Sequence, residues 1–206
     1  MEHHSATPAP AGLVSFAVAC FTFFGIYSGI VSGAAAFPLL ACWMFGAFVI
    51  QLVVALRELD HGNVLGGNVF LYFSGFFCLA TACSLVTKIV FPSVFGMTLD
   101  GKIEGFAWLV CTISLILWTP AYFKSSNGHM GLLVAITDVA LVFLTLKDLG
   151  VASGAAVNAL IAWPLLIAGS IGIYVAAAIQ LNAAFGRTVF KLLPPIIKTK
   201  AAEFES

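Results

Sequence analysis

The sequence predicts an all-α membrane protein: six transmembrane helices in one subunit, with both termini in the cytoplasm. Hydrophobic residues make up 61% of the 206 positions and charged ones only 9%. Soluble domains carry roughly a quarter charged residues, so most of this chain meets lipid rather than water. No charged residue occurs between Ala6 and Leu56. A spanning helix takes about 20 apolar residues, so that stretch alone holds two spans and a turn. The apolar runs are continuous rather than alternating, which excludes the pattern of a membrane β-barrel.

Prolines, glycines and charges divide the chain into its spans. The first is expected from about Gly12 to Val31, ending in "SGAAAFP", and the second from Leu39 to Leu56, closed by "RELDHGN". The third runs from Gly66 to Val90 and stops at "FPSVFGMTLDGK"; the fourth covers Phe106 to Tyr122, before "FKSSNGH". Met130 to Leu146 and Ala155 to Leu181 supply the fifth and sixth. One six-helix domain is therefore expected over 1–190, with a cytoplasmic tail over 191–206 whose final "AAEFES" has the look of a linker. The first apolar stretch lacks a basic leader and a small-residue cleavage site, so it is expected to be a span and not a signal peptide.

Basic residues set the orientation. With the N-terminus inside, the cytoplasmic segments hold Arg57, Lys124, Arg187, Lys191, Lys198 and Lys200, against Lys88, Lys102 and Lys147 outside. That excess favours cytoplasmic termini and a multi-pass protein of the inner or plasma membrane. Within the first apolar stretch, Gly25, Gly29 and Gly33 recur at four-residue intervals. On one helix they would share a face and admit another helix closely; packing inside the subunit and contact between subunits are equally open.

Several function classes fall away. A formal net charge of zero gives no handle for nucleic acid. The five cysteines (Cys20, Cys42, Cys78, Cys83, Cys111) sit in apolar segments without paired spacing, as small hydrophobes do. No nucleophile–base set, phosphate-cradling loop or metal-spaced cluster is visible. His61 and His129 flank loops, and His3 and His4 lie in the N-terminal segment. The chain is expected to be no enzyme and to use no cofactor or metal.

What remains is a short set of polar groups. Asp138 falls halfway along the fifth span, where a carboxylate costs on the order of 2.5–3.5 kcal/mol on insertion scales unless paired or wet. It is either a proton-carrying or pathway-lining acid or a carboxyl bonded to a neighbouring helix. Gln51 and Glu58, seven residues apart, fall on nearly one face of the second span. Glu58 alone fits a solvated helix end beside Arg57, and Gly62 and Asn63 suit the turn that follows. Pro8 and Pro10 fix φ and donate no N–H; set before a span, they are expected to hold an extended segment at a membrane mouth, its carbonyls toward water or solute.

The segment "TPAPAGLVSF" resembles the N-terminal Asn-Pro-Ala-Pro-Leu-Gly-Leu signature of the acetate uptake transporter family, the succinate–acetate permease-like proteins. The resemblance continues through Gln51, Glu58, Gly62 and Asn63, then "AWPLLIAGSIGIY", and closes with "LNAAFGRTVF". It implies a six-helix subunit in a homo-oligomer, a hexamer, passing acetate and similar small monocarboxylates, in some members succinate. It also implies a path in each subunit narrowed by an aromatic and aliphatic constriction. Phe16 matches its first member; Phe73 matches a family Tyr, with Tyr72 one place earlier; an aliphatic member on the fifth helix falls near Val139. The family's leading Asn is Thr7 here, and its Leu is Ala11.

No Lys or Arg lies mid-span. A carboxylate in transit must then be held by hydroxyls, amides, helix N-termini or water, or cross as the neutral acid. Weak binding at several points suits conduction. The expectation is a channel-like or proton-coupled conduit; the alternatives are a channel for small neutral solutes, or a membrane sensor or structural subunit.

Overall fold

The computed structural model describes residues 6–197. His3, His4, Lys198, Lys200 and the terminal "AAEFES" lie outside the described residues. Among the described residues, six helices are long and apolar enough to cross a membrane: α1 (Ala9–Tyr27), α2 (Gly33–Asp60), α3 (Val64–Phe95), α4 (Lys102–Ser125), α5 (Gly128–Asp148) and α6 (Ala155–Phe185). The second to sixth cover their expected spans and extend past them by up to about six residues at an end, whereas α1 starts three residues early and stops at Tyr27, short of the expected Val31, because hydropathy does not mark where a helix ends.

The N-terminal prolines start α1 rather than holding an extended strand. Pro8 is the N-cap with φ −82° and ψ −7°, and Pro10 lies in the first turn. There the missing N–H is one that no helical carbonyl could have served. The glycine stripe also breaks up. α1 stops at Tyr27, Gly29 takes φ +76° in the turn, and Gly33 already opens α2. Gly29 N–H donates to Ile26 O at 3.0 Å, the bond of a glycine-terminated helix. These three glycines therefore form no single helix face.

α3 carries the main irregularity. Asn63 caps it, its Oδ1 accepting from Gly66 N at 3.0 Å. Residues Phe73–Ala80 then wind as a π-helix inside the longer span. Wider winding shifts the phase of the side chains that follow, and such segments are frequent at functional sites.

The helices close into a bundle through α1. It packs along α6 and α2; α5 packs on α4 and α6; α2 packs on α3. Contact between α3 and α4 is sparse, and space opens there. Two hydroxyls tie the halves to α2: Ser15 Oγ donates to Ala47 O at 3.1 Å, and Ser74 Oγ to Phe48 O at 3.3 Å. The outer surface is apolar, with Leu39, Trp43, Ile103 and Leu117 all exposed, as a lipid- or copy-facing surface would be.

Both described termini lie at one end of the bundle, here called proximal. The segment after α6 is fastened there. Asn182 Oδ1 accepts from Val189 N at 2.6 Å and Phe190 N at 3.0 Å. Gly128 N donates to Leu193 O at 3.0 Å, and Ile197 N to Phe123 O at 2.8 Å. Residues 191–197 thus strap the α4–α5 turn.

Candidate functional site: two cavities and a ring constriction

The sequence places aromatic residues on facing helices at mid-depth, and the fold brings them into contact. Phe16 of α1 and Phe73 of α3 meet edge to face, centroids 5.3 Å apart at 80°. Phe73 touches Phe77 at 5.5 Å, and Phe77 touches Phe23 at 5.4 Å and Trp108 at 5.7 Å. Edge-to-face geometry is a preferred packing of such rings. Phe16, Phe73 and Phe77 are all buried.

This ring column separates two cavities. The distal one, about 390 Å³, reaches down to Phe77, Trp108, Leu141 and Leu165 and carries Lys88, Glu104, Lys147, Asp148 and Asn158 on its wall. The proximal one, about 30 Å³, is bounded by Phe16, Phe73, Gln51, Thr137, Val134 and Tyr122. The amide of Gln51 is fully buried, and neither its Oε1 nor its Nε2 has a partner among the described residues. An unpaired buried amide costs on the order of 1–3 kcal/mol. About 10–15 Å³ of such space suffices for one water, so the cavity has room for a polar guest beside that amide.

Below Gln51 the proximal mouth is latched. Glu58 is 4% exposed, not a solvated helix end; it is Arg57 that reaches solvent, 3.7 Å from Asp60. Thr7 Oγ1 donates to Glu58 Oε1 at 2.9 Å, and Asn63 Nδ2 to Glu58 Oε2 at 2.5 Å. Thr7 Oγ1 also accepts from Ala9 N at 3.2 Å. Asn63 thereby caps α3 and grips Glu58 at once. A Cβ on Gly66 would lie 2.4 Å from Asn63 Nδ2, so glycine there leaves the cap its room.

Three sequence candidates stand elsewhere. Val139 is 42% exposed and lines neither cavity; Thr137 and Leu141, one helical turn apart on α5, face the proximal and distal cavities instead. On α5 it is Leu141, not Val139, whose aliphatic side chain lines a cavity beside the ring column. Asp138 lines neither cavity either: its Oδ2 accepts from Thr119 Oγ1 at 2.6 Å, across the α4–α5 contact. Its Oδ1 is buried without a partner. Tyr72 packs on Trp118 at 5.9 Å and on Phe73 at 4.9 Å, its hydroxyl buried beside Cys111. It backs the ring column without lining either cavity. Phe77 and Leu141 were absent from the sequence expectations; their signal was the i, i+4 spacing from Phe73 and Thr137.

No protein-family model matches the chain. Curated relatives do. The succinate-acetate/proton symporter SatP of Escherichia coli (strain K12) is 27% identical over 194 residues, 91% of this chain and 95% of that one. The SatP proteins of Escherichia coli O157:H7 and Shigella flexneri match to the same extent. The chain is thus similar to SatP along nearly the whole length of both proteins. A solved structure of the bacterial acetate channel SatP superimposes with a TM-score of 0.77, covering 91% of this chain and 99% of that one at 20% identity. That likeness bears on the fold alone: an all-helical arrangement with six helices, among the described residues, long and apolar enough to cross a membrane.

Proposed function

We propose that this protein passes acetate and related small monocarboxylates across a membrane, channel-like or proton-coupled, through a path inside each subunit. The carrying observation is the alignment of two cavities on either side of the Phe16–Phe73 contact, with the unpartnered Gln51 amide in the proximal one. The path runs from the distal vestibule past Phe77 and Leu141, through the Phe16–Phe73 neck, to Gln51 and the Thr7–Glu58–Asn63 mouth. Pro8 and Pro10 contribute by fixing the start of α1 beside that mouth. The SatP relatives, named as symporter and channel, support transport rather than catalysis.

The apolar neck would admit a neutral acid, or a carboxylate accompanied by water when the rings part. Past the distal vestibule, no Lys or Arg lines the proximal cavity to trap it. Arg57, Lys124, Arg187 and Lys191 gather at the proximal end, which supports cytoplasmic termini and an inner-membrane setting. The exposed apolar surface and the resemblance support a homo-oligomer, taken as a hexamer. Uptake of labelled acetate into proteoliposomes containing only this protein tests the transport reading. No uptake above empty vesicles would overturn it.

A further inference from the structure

The transport reading leaves the charges of the distal vestibule without a role. Two cations and two anions line a cavity of about 390 Å³ whose floor is aromatic and aliphatic. One pair is spent internally: Lys88 is ion-paired with Glu104, which also accepts from Ser84. The other two charges are not. Lys147 Nζ donates to Asn158 Oδ1 at 2.5 Å and stands 5.3 Å from the centre of the Tyr27 ring, but it forms no ion pair among the described residues. Asp148, the next residue, lines the same cavity and accepts no hydrogen bond from the described residues. The wall therefore offers one held ammonium and one open carboxylate, above Phe77 and Trp108.

A simple anion would meet Asp148 as well as Lys147, and a simple cation the reverse. A head carrying both charges answers both side chains at once. The size and apolar floor suit a body larger than acetate: ligand pockets of about 300–1,000 Å³ are lined mainly by apolar and aromatic groups, with a few polar groups that fix orientation. We propose that the distal vestibule binds a small zwitterion with an apolar body, of the kind an aromatic α-amino acid presents. Its carboxylate meets Lys147, its ammonium meets Asp148, and its body rests on Phe77 and Trp108. The closed Phe16–Phe73 contact stops it going deeper, so the occupant plugs the vestibule.

L-phenylalanine, 3-phenylpropionate and phenethylamine share a ring and differ in head charge. Titration calorimetry of the purified full chain with each probe reads binding without reading flux, so this inference and the transport reading can fail separately. Losing one charge-assisted contact costs about tenfold in affinity. Phenylalanine is therefore expected to bind about tenfold more tightly than either analogue. Asp148→Asn should erase its advantage over the propionate, and Lys147→Gln its advantage over the amine. Phenylalanine that binds no better than 3-phenylpropionate to the wild-type chain overturns the proposal, and so does the absence of phenylalanine binding to monodisperse protein. Neither of those outcomes depends on a variant folding.

Discussion

Phe16 and Phe73 meet edge to face at 5.3 Å, and both rings wall the proximal cavity, with Phe77 beyond Phe73 lining the distal one. Because the rings come from α1 and α3, a small shift between those helices would open or close the passage without disturbing the α1–α6 packing.

Removing either ring should widen the neck. Phe16→Ala and Phe73→Ala are expected to raise acetate leak and admit bulkier monocarboxylates, while costing about 3–5 kcal/mol of stability through the space left behind. Proteoliposome flux measured with a graded series of acids checks this. Wild-type rate and selectivity in both variants would place the neck elsewhere.

Gln51 offers a separation of stability from function. Its two amide atoms are buried and unpartnered, so Gln51→Leu removes an unmet desolvation cost. Thermal stability should hold or rise by about 1–3 kcal/mol, while acetate flux falls. A leucine variant that transports normally would show that the amide never meets the solute.

The latch at the proximal mouth should be felt in both stability and rate. Thr7→Val removes the donor to Glu58 Oε1; a hydrogen bond to a charged group is worth about 1.5–3 kcal/mol. Thr7→Ser keeps the hydroxyl and should restore most of the loss. Melting temperatures of the three proteins decide the matter, and equal values for valine and wild type would count against the latch.

Asp138 now has a definite neighbour. Its bond to Thr119 lies in the α4–α5 contact and outside both cavities, which favours the helix-bonded role over the pathway one. An asparagine oxygen can accept the same hydroxyl, so Asp138→Asn is expected to keep wild-type flux and its pH profile. A flattened profile would instead make the acid part of transport.

The six spans were legible because lipid demands long apolar runs, and charge or glycine must interrupt them. Side-chain phase was not. One residue of error on a helix turns a side chain by about 100°, and hydropathy does not fix the phase of α5, so Val139 was expected where the fold turns Leu141 toward a cavity. The four-residue glycine spacing assumed one continuous helix, and nothing in that spacing shows Gly29 to be the residue that ends it. Glu58 resembled a solvated end because its partners lie at Thr7, 51 positions earlier, and at Asn63 across the next turn. Only folding brings those three groups together.

Both cavities and the ring column between them are walled by residues of one polypeptide. A copy crippled at Phe73 or Gln51 should therefore silence only itself, whatever assembly it joins. Co-expressed with an intact copy, such an allele would behave as recessive, and flux would fall in simple proportion to the fraction of damaged chains.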